Sequence, residues 1–485
     1  MNKKSELFSS RYAFLFAAIG MAIGAGNIWR FPRLAGQYGG SFLIPWLLFL
    51  FIWSIPLIVI EFSLGKTYKL GVIGVFRVGL SKSYTWMGWF IAICTMGIMF
   101  YYSVVCGWSL KYFVMSVDGD LATIAHAQFW TDYTTSNLQP IWYHIIAVSF
   151  GSLIIFFGVR RGIERVTKIL IPVLFLLISI AAIRSLSLPG SQKGLSYFFH
   201  INTEDLLNYK VWLEALSQSA WSTGAGWGLI LTYANYVKKD EKTFSNAFLT
   251  GIGNNIASLL CGLAIIPTVF SLSASIENAN KALMAGNQGL TFIYLPQLFG
   301  KMPWGRFMTS LFFISLFIAA ISSLIAMLEL AVKILMDYKI GRKKSVIGVG
   351  ILTILLGLPS AYSLKFFNNQ DWVWGVGLLL SGFFFIFYVL KIKIKIFIKR
   401  YLENEKTFLL KYIWITKLLI FAMILEFIFM FIWWFLQSVS WYPETWWDPF
   451  GQVTIGTCIF QWIIVILIGV LFNEKISHLK ISELG

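Results

Sequence analysis

Residues 19–32, IGMAIGAGNIWRFP, are the stretch that decides the fold of this chain. They lie in an apolar run that begins at Tyr12 and contains no charged residue before Arg30, which is typical of a membrane-spanning helix. The three glycines weaken that helix, because glycine in a helix interior costs about 1 kcal/mol relative to alanine. We therefore expect the helix to break around residues 23–26.

A break of this kind has a chemical consequence in a bilayer. An unwound backbone persists in hydrocarbon only where it is buried in protein or lines a cavity, since each unpaired N–H or C=O group costs several kcal/mol. The freed carbonyls and the Asn27 amide oxygen suit a hard cation such as Na⁺, and the N–H groups of the next half-helix suit a carboxylate. The alternative is a glycine-rich surface for close helix packing, and these residues alone leave both open.

The composition indicates a polytopic membrane protein. The chain is 58% hydrophobic and 13% charged, whereas an average soluble domain is about 25% charged. Twelve apolar spans are predicted, with no soluble domain between them. The spans cover residues 12–37, 42–64, 84–113, 141–159, 166–187, 211–236, 244–271, 304–337, 345–361, 371–391, 412–437 and 451–472.

The net charge of +17 is distributed along the chain in a way that argues against a nucleic-acid partner. Basic residues fall in every second connection, as in 160–168 and 391–411, whereas the 115–139 loop has none. This alternation follows the positive-inside rule and predicts that both termini are cytoplasmic.

The four cysteines lie within predicted spans and the four histidines are scattered, so neither a disulfide framework nor a metal-ion cluster is indicated. We expect a multi-pass protein of a bacterial inner (plasma) membrane, with no protein partner evident.

A second interruption lies in the sixth span. Residues 218–228, QSAWSTGAGWG, place three glycines and several hydroxyl and amide side chains in an otherwise apolar run. Two such spans one half-domain apart indicate an inverted-repeat transporter with its binding site between the breaks. The repeats are predicted at 12–190 and 211–400. Tails at 1–11 and 473–485 and two further spans at 411–472 complete the chain.

Four motifs carry a resemblance to a known family. They are GAGNIWRFP at 24–32, YGG at 38–40, GIER at 162–165 and TYANY at 232–236. With them the chain resembles the neurotransmitter:sodium symporter family, in particular its bacterial leucine-transporter type, over spans one to ten. The resemblance implies an all-α fold of twelve transmembrane helices, with a 5+5 inverted repeat and helices 1 and 6 unwound in mid-membrane. It implies Na⁺-coupled symport by alternating access and no enzymatic activity.

The resemblance also implies three ion sites, built mainly from oxygen donors. The first Na⁺ site would consist of Ala22, Asn27, Ser222 and Asn254. The second Na⁺ site would consist of Gly20, Ile23, Ala319, Ser322 and Ser323. A chloride site would consist of Gln218, Ser222, Asn254 and Ser258. Ser258 is neutral, so chloride would offset two cations that otherwise lack a nearby fixed anion. Trp46 is a departure, because chloride-binding relatives have a tyrosine there.

The implied substrate is an α-amino acid. Monoamine-carrying relatives have an aspartate at the position of Gly24, whereas glycine leaves room for a substrate that brings its own carboxylate. That carboxylate would contact Ala25, Gly26 and Tyr102, besides the first Na⁺. The ammonium group would contact the carbonyls of Ala22, Trp221 and Thr223. The side-chain pocket would be formed by Ile98, Val105, Trp221, Gly224, Trp227, Ser323 and Met327. Gly224 adds room and no charged residue is included, so we expect a neutral hydrophobic, aromatic or large aliphatic L-amino acid.

Gate residues are implied on both sides of the site. Arg30 and Asp371 would close the outer pathway, although Asp371 at the start of the tenth span has a simpler alternative as a helix-opening acid. Asp337 would belong to the inner gate, but the arginine that usually pairs with it is missing, and Lys3 or Lys4 would have to substitute. Residues 276–303 are expected to fold as an extracellular lid. A non-transporting sensor of the same fold and a Na⁺-conducting channel are the rival functions.

Overall fold

The structure is a computed structural model that describes residues 6–119, 121–135, 138–403, 405 and 412–478. These residues form helices and connecting turns, and this part of the chain contains no strand. Nine of its helices are long and apolar enough to cross a bilayer. Two interrupted helices and the 17-residue helix Ile455–Leu471 complete twelve spans, labelled α1 to α12. The prediction of an all-helical, polytopic fold is confirmed.

Several of the twelve spans are composed of consecutive helical pieces. The first five are α1 (Arg11–Ala22, then Gly26–Arg30 and Phe31–Tyr38), α2 (Leu43–Phe49, Leu50–Ser54 and Ile55–Tyr68), α3 (Thr85–Asp118), α4 (Gln139–Phe156) and α5 (Val159–Ile163 and Glu164–Leu186). The next five are α6 (Tyr209–Ser222 and Leu229–Ala234), α7 (Thr243–Leu272), α8 (Gly305–Asp337), α9 (Arg342–Tyr362) and α10 (Leu364–Ile392). The last two are α11 (Ile413–Trp441) and α12 (Ile455–Leu471).

The burial of each span orders the bundle from centre to periphery. The most apolar windows of α8 and of the helix containing α3 are 89% and 83% buried, whereas those of α5 and α11 are 28% and 22% buried. The helices α3 and α8 pack extensively against each other. They form a rigid centre against which the two broken helices, α1 and α6, are placed.

The face of the molecule at which α1 begins, called here the N-terminal face, is closed by hydrogen bonds from the N-terminal segment. The Phe8 N–H donates to the Tyr236 carbonyl at the end of α6 (2.9 Å), and the Ser9 N–H donates to the Glu164 carboxylate of α5 (2.8 Å). The Lys69 ammonium, just beyond α2, donates to the Val237 carbonyl (2.6 Å). Burial and neighbouring lysines lower the pKa of Lys69 to about 8. The lysine therefore still carries most of its charge at neutral pH.

The start of the tenth span and the expected lid differ in their outcome. The helix α10 begins at Leu364, because the Ser363 side chain caps it by accepting from the Phe366 N–H (3.3 Å). Asp371 thus lies within α10, and the expectation that it opens the tenth span was wrong. The expected lid at 276–303 contains the helices Ile276–Met284, Gly289–Tyr294 and Leu295–Phe299.

Candidate functional site

The first break lies in α1, as predicted. The helix Arg11–Ala22 ends at Ile23, whose ψ of 93° is extended, and the chain becomes helical again around Gly26. The Asn27 side-chain oxygen accepts from the Gly24 N–H (3.0 Å), which satisfies one donor freed by the break. A Cβ atom at Gly24 would lie 2.8 Å from the Tyr102 hydroxyl, so the close approach of α3 favours glycine at this position.

The second break lies in α6 and covers residues 223–228. Gly224, Gly226 and Gly228 have φ values of 68°, 86° and 78°, a left-handed conformation that side-chain-bearing residues resist. The buried carboxylate of Glu61, in α2, accepts from the Gly226 N–H at 2.5 Å and from the Leu231 N–H at 3.5 Å. Residues 218–222 remain helical, so the interruption is shorter than the predicted 218–228.

A cavity of about 510 Å³ lies between the two breaks. It extends away from the N-terminal face, past Arg30 and Asp371, to Trp434 and Trp441 of α11. Most of the expected substrate residues line it. They are Ala22, Gly24, Gly26, Tyr102, Val105, Trp221, Gly224, Trp227, Ser323 and Met327.

Three expected substrate residues do not line the cavity. Ile98 is fully buried one turn before Tyr102 on α3. The Thr223 hydroxyl donates back to the Ser219 carbonyl (3.0 Å), and the Ala25 N–H donates to the Tyr102 hydroxyl at 2.8 Å. The Ala25 amide is therefore already occupied in this conformation.

Several further lining residues were not predicted, and two of them lie directly at the breaks. Met21 and Leu229 both border the cavity, and the available signal was their position directly beside a break. A Cβ atom at Gly224 would meet the Met21 sulfur at 2.8 Å. Gly224 therefore gives space to Met21, and any larger residue there would also be strained by the positive φ.

A buried polar cluster joins α1, α6 and α7. The Asn27 amide nitrogen donates to the Ser258 hydroxyl (2.8 Å), and Asn254 contacts both Asn27 and Ser222. One terminal amide atom of Asn254 lies 2.7 Å from the Ser222 carbonyl oxygen and 3.2 Å from the Ala22 carbonyl oxygen. As a nitrogen this atom donates to both carbonyls, and as an oxygen it forms with them a trio of oxygens that suits a hard cation.

A second polar cluster joins α8 to the end of the first α1 piece. The Ser322 hydroxyl lies 2.6 Å from the Gly20 carbonyl oxygen and 2.9 Å from the Ala319 carbonyl oxygen. The Ser323 hydroxyl lies 2.9 Å from the Met21 carbonyl oxygen. Ile23 follows directly on α1 and is completely buried. The break in α1 thus places main-chain carbonyls against paired serines.

Two buried polar side chains in this region each have one atom without a partner among the described residues. The Gln218 amide nitrogen donates to the Gly26 carbonyl (3.3 Å), but its oxygen Oε1 has no partner within the described residues. The Trp46 indole nitrogen is likewise buried without a described acceptor. Both atoms retain unused hydrogen-bonding capacity, and Gln218 lies beside the first cluster because Gly26 directly precedes Asn27.

The expected outer pair is arranged differently. Arg30 donates to the Ser217 hydroxyl (2.6 Å) and lies 3.5 Å from the Glu214 carboxylate of α6. Among the described residues, it is Glu214 and not Asp371 that pairs with Arg30. Both Arg30 and Asp371 border the cavity, so the passage on the side away from the N-terminal face is open in this conformation. Sequence reasoning missed Glu214, which lies two turns before Trp221 on α6.

The acid expected at the inner gate has a local partner. Asp337 pairs with Lys333 of its own helix (2.6 Å) and accepts from the Gly71 N–H (2.6 Å). Lys3 and Lys4, the expected substitutes for the missing arginine, lie outside the described residues.

A buried ion pair on the N-terminal face joins α6, α8 and α9. The Glu329 carboxylate accepts from the Tyr236 hydroxyl (2.6 Å) and pairs with Arg342 (2.5 Å). The three side chains are buried. Sequence reasoning missed this cluster, since Glu329 lies in a long apolar run that gave no sign of a partner.

Comparison with known proteins agrees with this geometry. The model of the sodium:neurotransmitter symporter family matches residues 5–139 and 136–477. An uncharacterized sodium-dependent transporter of Methanocaldococcus jannaschii is 32% identical over 366 residues, which cover 72% of this chain and 74% of that protein. The sodium-dependent serotonin transporter of Drosophila melanogaster is 25% identical over 427 residues, covering 79% of this chain and 68% of that protein.

A solved structure shares the architecture. The crystal structure of MhsT in complex with L-phenylalanine matches with a TM-score of 0.78 and 29% identity, covering 88% of this chain and 99% of MhsT. This agreement confirms the predicted fold, and the family match over residues 5–139 and 136–477 includes both broken helices. The chain belongs to the sodium:neurotransmitter symporter family and is a multi-pass, sodium-dependent membrane transporter of a small molecule rather than an enzyme.

Proposed function

We propose that this transporter imports a neutral hydrophobic L-amino acid, aromatic or large aliphatic, together with Na⁺. The observation that carries the proposal is that the two unwound segments border one cavity. Beside the breaks, Val105, Trp227 and Met327 give this cavity an apolar wall. A charged substrate side chain at that wall would stay unpaired, at a cost of several kcal/mol.

Main-chain groups at the breaks would bind the amino and carboxyl groups of the substrate. The carboxylate would accept from the Tyr102 hydroxyl and the Gly26 amide. It would compete with Tyr102 for the Ala25 N–H, which donates to that hydroxyl in this conformation. The ammonium group would contact carbonyls at Ala22 and Trp221, which line the cavity, and at Thr223, which would face it only after the unwound chain moves. An aspartate in place of Gly24 would crowd the Tyr102 hydroxyl, which favours an amino acid over a monoamine.

We assign the two polar clusters to Na⁺. Ala22, Asn27, Ser222 and Asn254 would hold one ion, and the oxygens close to the Asn254 amide support this assignment. Gly20, Ile23, Ala319, Ser322 and Ser323 would hold the other. The contacts of 2.6 and 2.9 Å between serine hydroxyls and α1 carbonyls already assemble oxygen donors there. Both sites depend on the break in α1, so ion binding and the shape of the substrate site are coupled.

Chloride would balance these cations. Gln218, Ser222, Asn254 and Ser258 would form its site, and Ser258 lies 2.8 Å from the Asn27 amide nitrogen, beside the first Na⁺ cluster. Trp46 has a buried indole N–H without a described acceptor, which gives an anion a donor in place of the tyrosine of chloride-binding relatives.

Transport would proceed by alternating access, in which a bundle containing the broken helices α1 and α6 rocks within the two inverted repeats, 12–190 and 211–400. The N-terminal face would be cytoplasmic, in a bacterial inner membrane, with both termini on that side. The open outer cavity and the closed N-terminal face correspond to an outward-facing conformation. Closure would bring Arg30 to Asp371, and opening of the inner face would release the N-terminal segment from Tyr236 and Glu164.

Reconstitution tests this function directly. The protein in liposomes with an inward Na⁺ gradient should accumulate a radiolabelled neutral amino acid such as phenylalanine, and dissipating the gradient should abolish accumulation. Binding without accumulation would favour a sensor, and Na⁺ flux independent of substrate would favour a channel.

A further inference from the structure

A basic, amphipathic segment follows α10 on the N-terminal face. Residues 391–400, KIKIKIFIKR, are called here the basic segment. The chain turns at Lys393, which has a φ of 74°, and forms the helix Ile394–Tyr401. This helix buries Phe397 and Tyr401. Because of this turn, the helix does not continue α10. It packs on the ends of α2 and α11.

The cations of the segment are exposed and free of carboxylates. They are Lys391, Lys393, Lys395, Lys399 and Arg400. Within the described residues, none of them takes part in an ion pair. The following turn contains two described acids. Glu403 is exposed and forms no ion pair within the described residues, and Glu405 is engaged by Lys66 (4.0 Å) and the Thr243 N–H. No ion pair within the described part of the chain therefore neutralises the positive charge of the segment.

Aromatic rings hold two of these cations in place. The Lys391 ammonium lies 5.3 Å from the centre of the Tyr84 ring, and the Arg400 guanidinium lies 5.4 Å from that of Tyr401. A ring face attracts a cation but leaves its N–H groups able to donate to an anion. Beside them, Ile396 and Leu390 are 49% and 39% exposed. An apolar surface thus adjoins the basic one at the end of a membrane span.

We propose that the basic segment binds the headgroup of anionic phospholipids, with the phosphate among the lysines and Arg400 and the acyl chains along the exposed apolar residues. Basic clusters directly beside a membrane span attract anionic lipids, and each cation contributes about a fivefold gain in affinity. A lipid can contact both the exposed cations and the exposed apolar side chains, whereas a soluble anion would contact only the cations. The surface therefore favours a lipid.

The experiment measures lipid binding by the purified full-length protein in detergent. Dioleoylphosphatidylglycerol is titrated, and the half-saturating concentration is read from the rise in the midpoint of thermal unfolding. The test variant Lys391→Gln/Lys395→Gln/Lys399→Gln leaves the turn at Lys393 intact. It should weaken the response about a hundredfold, whereas replacement of the same three residues by arginine should preserve it.

A matched control removes equal charge from the same face. The variant Arg160→Gln/Arg161→Gln/Arg165→Gln should keep the response to phosphatidylglycerol. Dioleoylphosphatidylcholine should give no response with the unmodified protein or with this variant. The proposal would be overturned if both glutamine variants lost the response to phosphatidylglycerol equally, or if neither lost it. The basic segment would then be a topology signal only. A full response to inorganic phosphate or glycerophosphoglycerol would overturn it as well, because the ligand would then be a soluble phosphate.

Discussion

Arg342 and Glu329 form an ion pair that is almost completely buried, with 2.5 Å between Nη2 of the arginine and Oε2 of the glutamate. The pair joins the start of α9 to α8, and Tyr236 adds the end of α6. Removing one partner of a buried pair is costly because the other charge is left without compensation. We expect Arg342→Met to lower the free energy of unfolding by about 3–5 kcal/mol, measured by denaturant titration of the purified protein.

The double variant separates the charge effect from the loss of packing. Arg342→Met combined with Glu329→Gln leaves no stranded charge, so it should regain more than half of the loss. If both variants were equally unstable, the ion pair would not be the cause.

The open outer passage predicts opposite roles for two acids. Asp371→Asn should strongly reduce uptake, because Arg30 would lose its partner in the closed state. Glu214→Gln should instead tighten substrate binding by up to about fivefold, since Glu214 holds Arg30 in the open state through a partly exposed contact of 3.5 Å. Equilibrium substrate binding and liposome uptake distinguish the two effects.

Glu204→Gln is the matched control, because Glu204 is an exposed acid in the short helix just before α6. It should leave both measurements unchanged. An equal gain in affinity with Glu204→Gln would point to a general charge effect and not to Arg30.

The substrate pocket predicts a change in size preference. Met327 lines the cavity, and shortening it removes two methylene-sized groups and a sulfur atom from the apolar wall. Met327→Ala should raise the uptake of tryptophan relative to valine about tenfold, because a larger substrate fills the space. Gly224→Ala should instead reduce all substrates alike, since its φ of 68° strains the backbone. An unchanged ratio in Met327→Ala would remove Met327 from the pocket.

The sequence predicted much of this site for a physical reason. Closely spaced glycines weaken a helix in an apolar run, so both breaks, and a binding site between them, were predicted from residues 19–32 and 218–228. The charged contacts between helices did not follow, because the partners of Arg30 and Glu329 depend on helix rotation and on the conformation of the transporter. Spacing along one helix does not encode either. The pair of Lys333 and Asp337 is different, since its four-residue spacing on one helix could have indicated it.

The boundaries illustrate the same limit. The polar residues before Asp371 resemble a loop, yet they are helical because Ser363 caps α10 earlier. Thr223 was expected to offer its carbonyl to the substrate, but whether a group faces the cavity depends on the path of the unwound chain. Burial and periodicity predict helices well and predict the direction of individual main-chain groups poorly.

Chloride dependence can be tested through Trp46 and Ser258. Uptake should fall when gluconate replaces chloride, and Ser258→Asp should make uptake independent of chloride by supplying a fixed negative charge. Trp46→Phe removes a buried indole N–H and should raise the chloride concentration for half-maximal uptake. Trp53→Phe is the matched control, since Trp53 is also a buried α2 tryptophan whose indole nitrogen has no described acceptor. Equal chloride curves for the two tryptophan variants would exclude Trp46 from the site.

The second Na⁺ site makes the sharpest prediction, because α8 contains its own control. The Ser322 hydroxyl reaches across to the Gly20 carbonyl of α1 (2.6 Å), whereas the Ser315 hydroxyl donates back to Leu311 of its own helix at 2.7 Å. Ser322→Ala should therefore raise the Na⁺ concentration for half-maximal substrate uptake about tenfold or more, as expected for loss of a ligand to a charged group. Ser315→Ala should leave it unchanged. A similar shift in both variants would mean that α8 stability, and not a sodium ligand, had been altered.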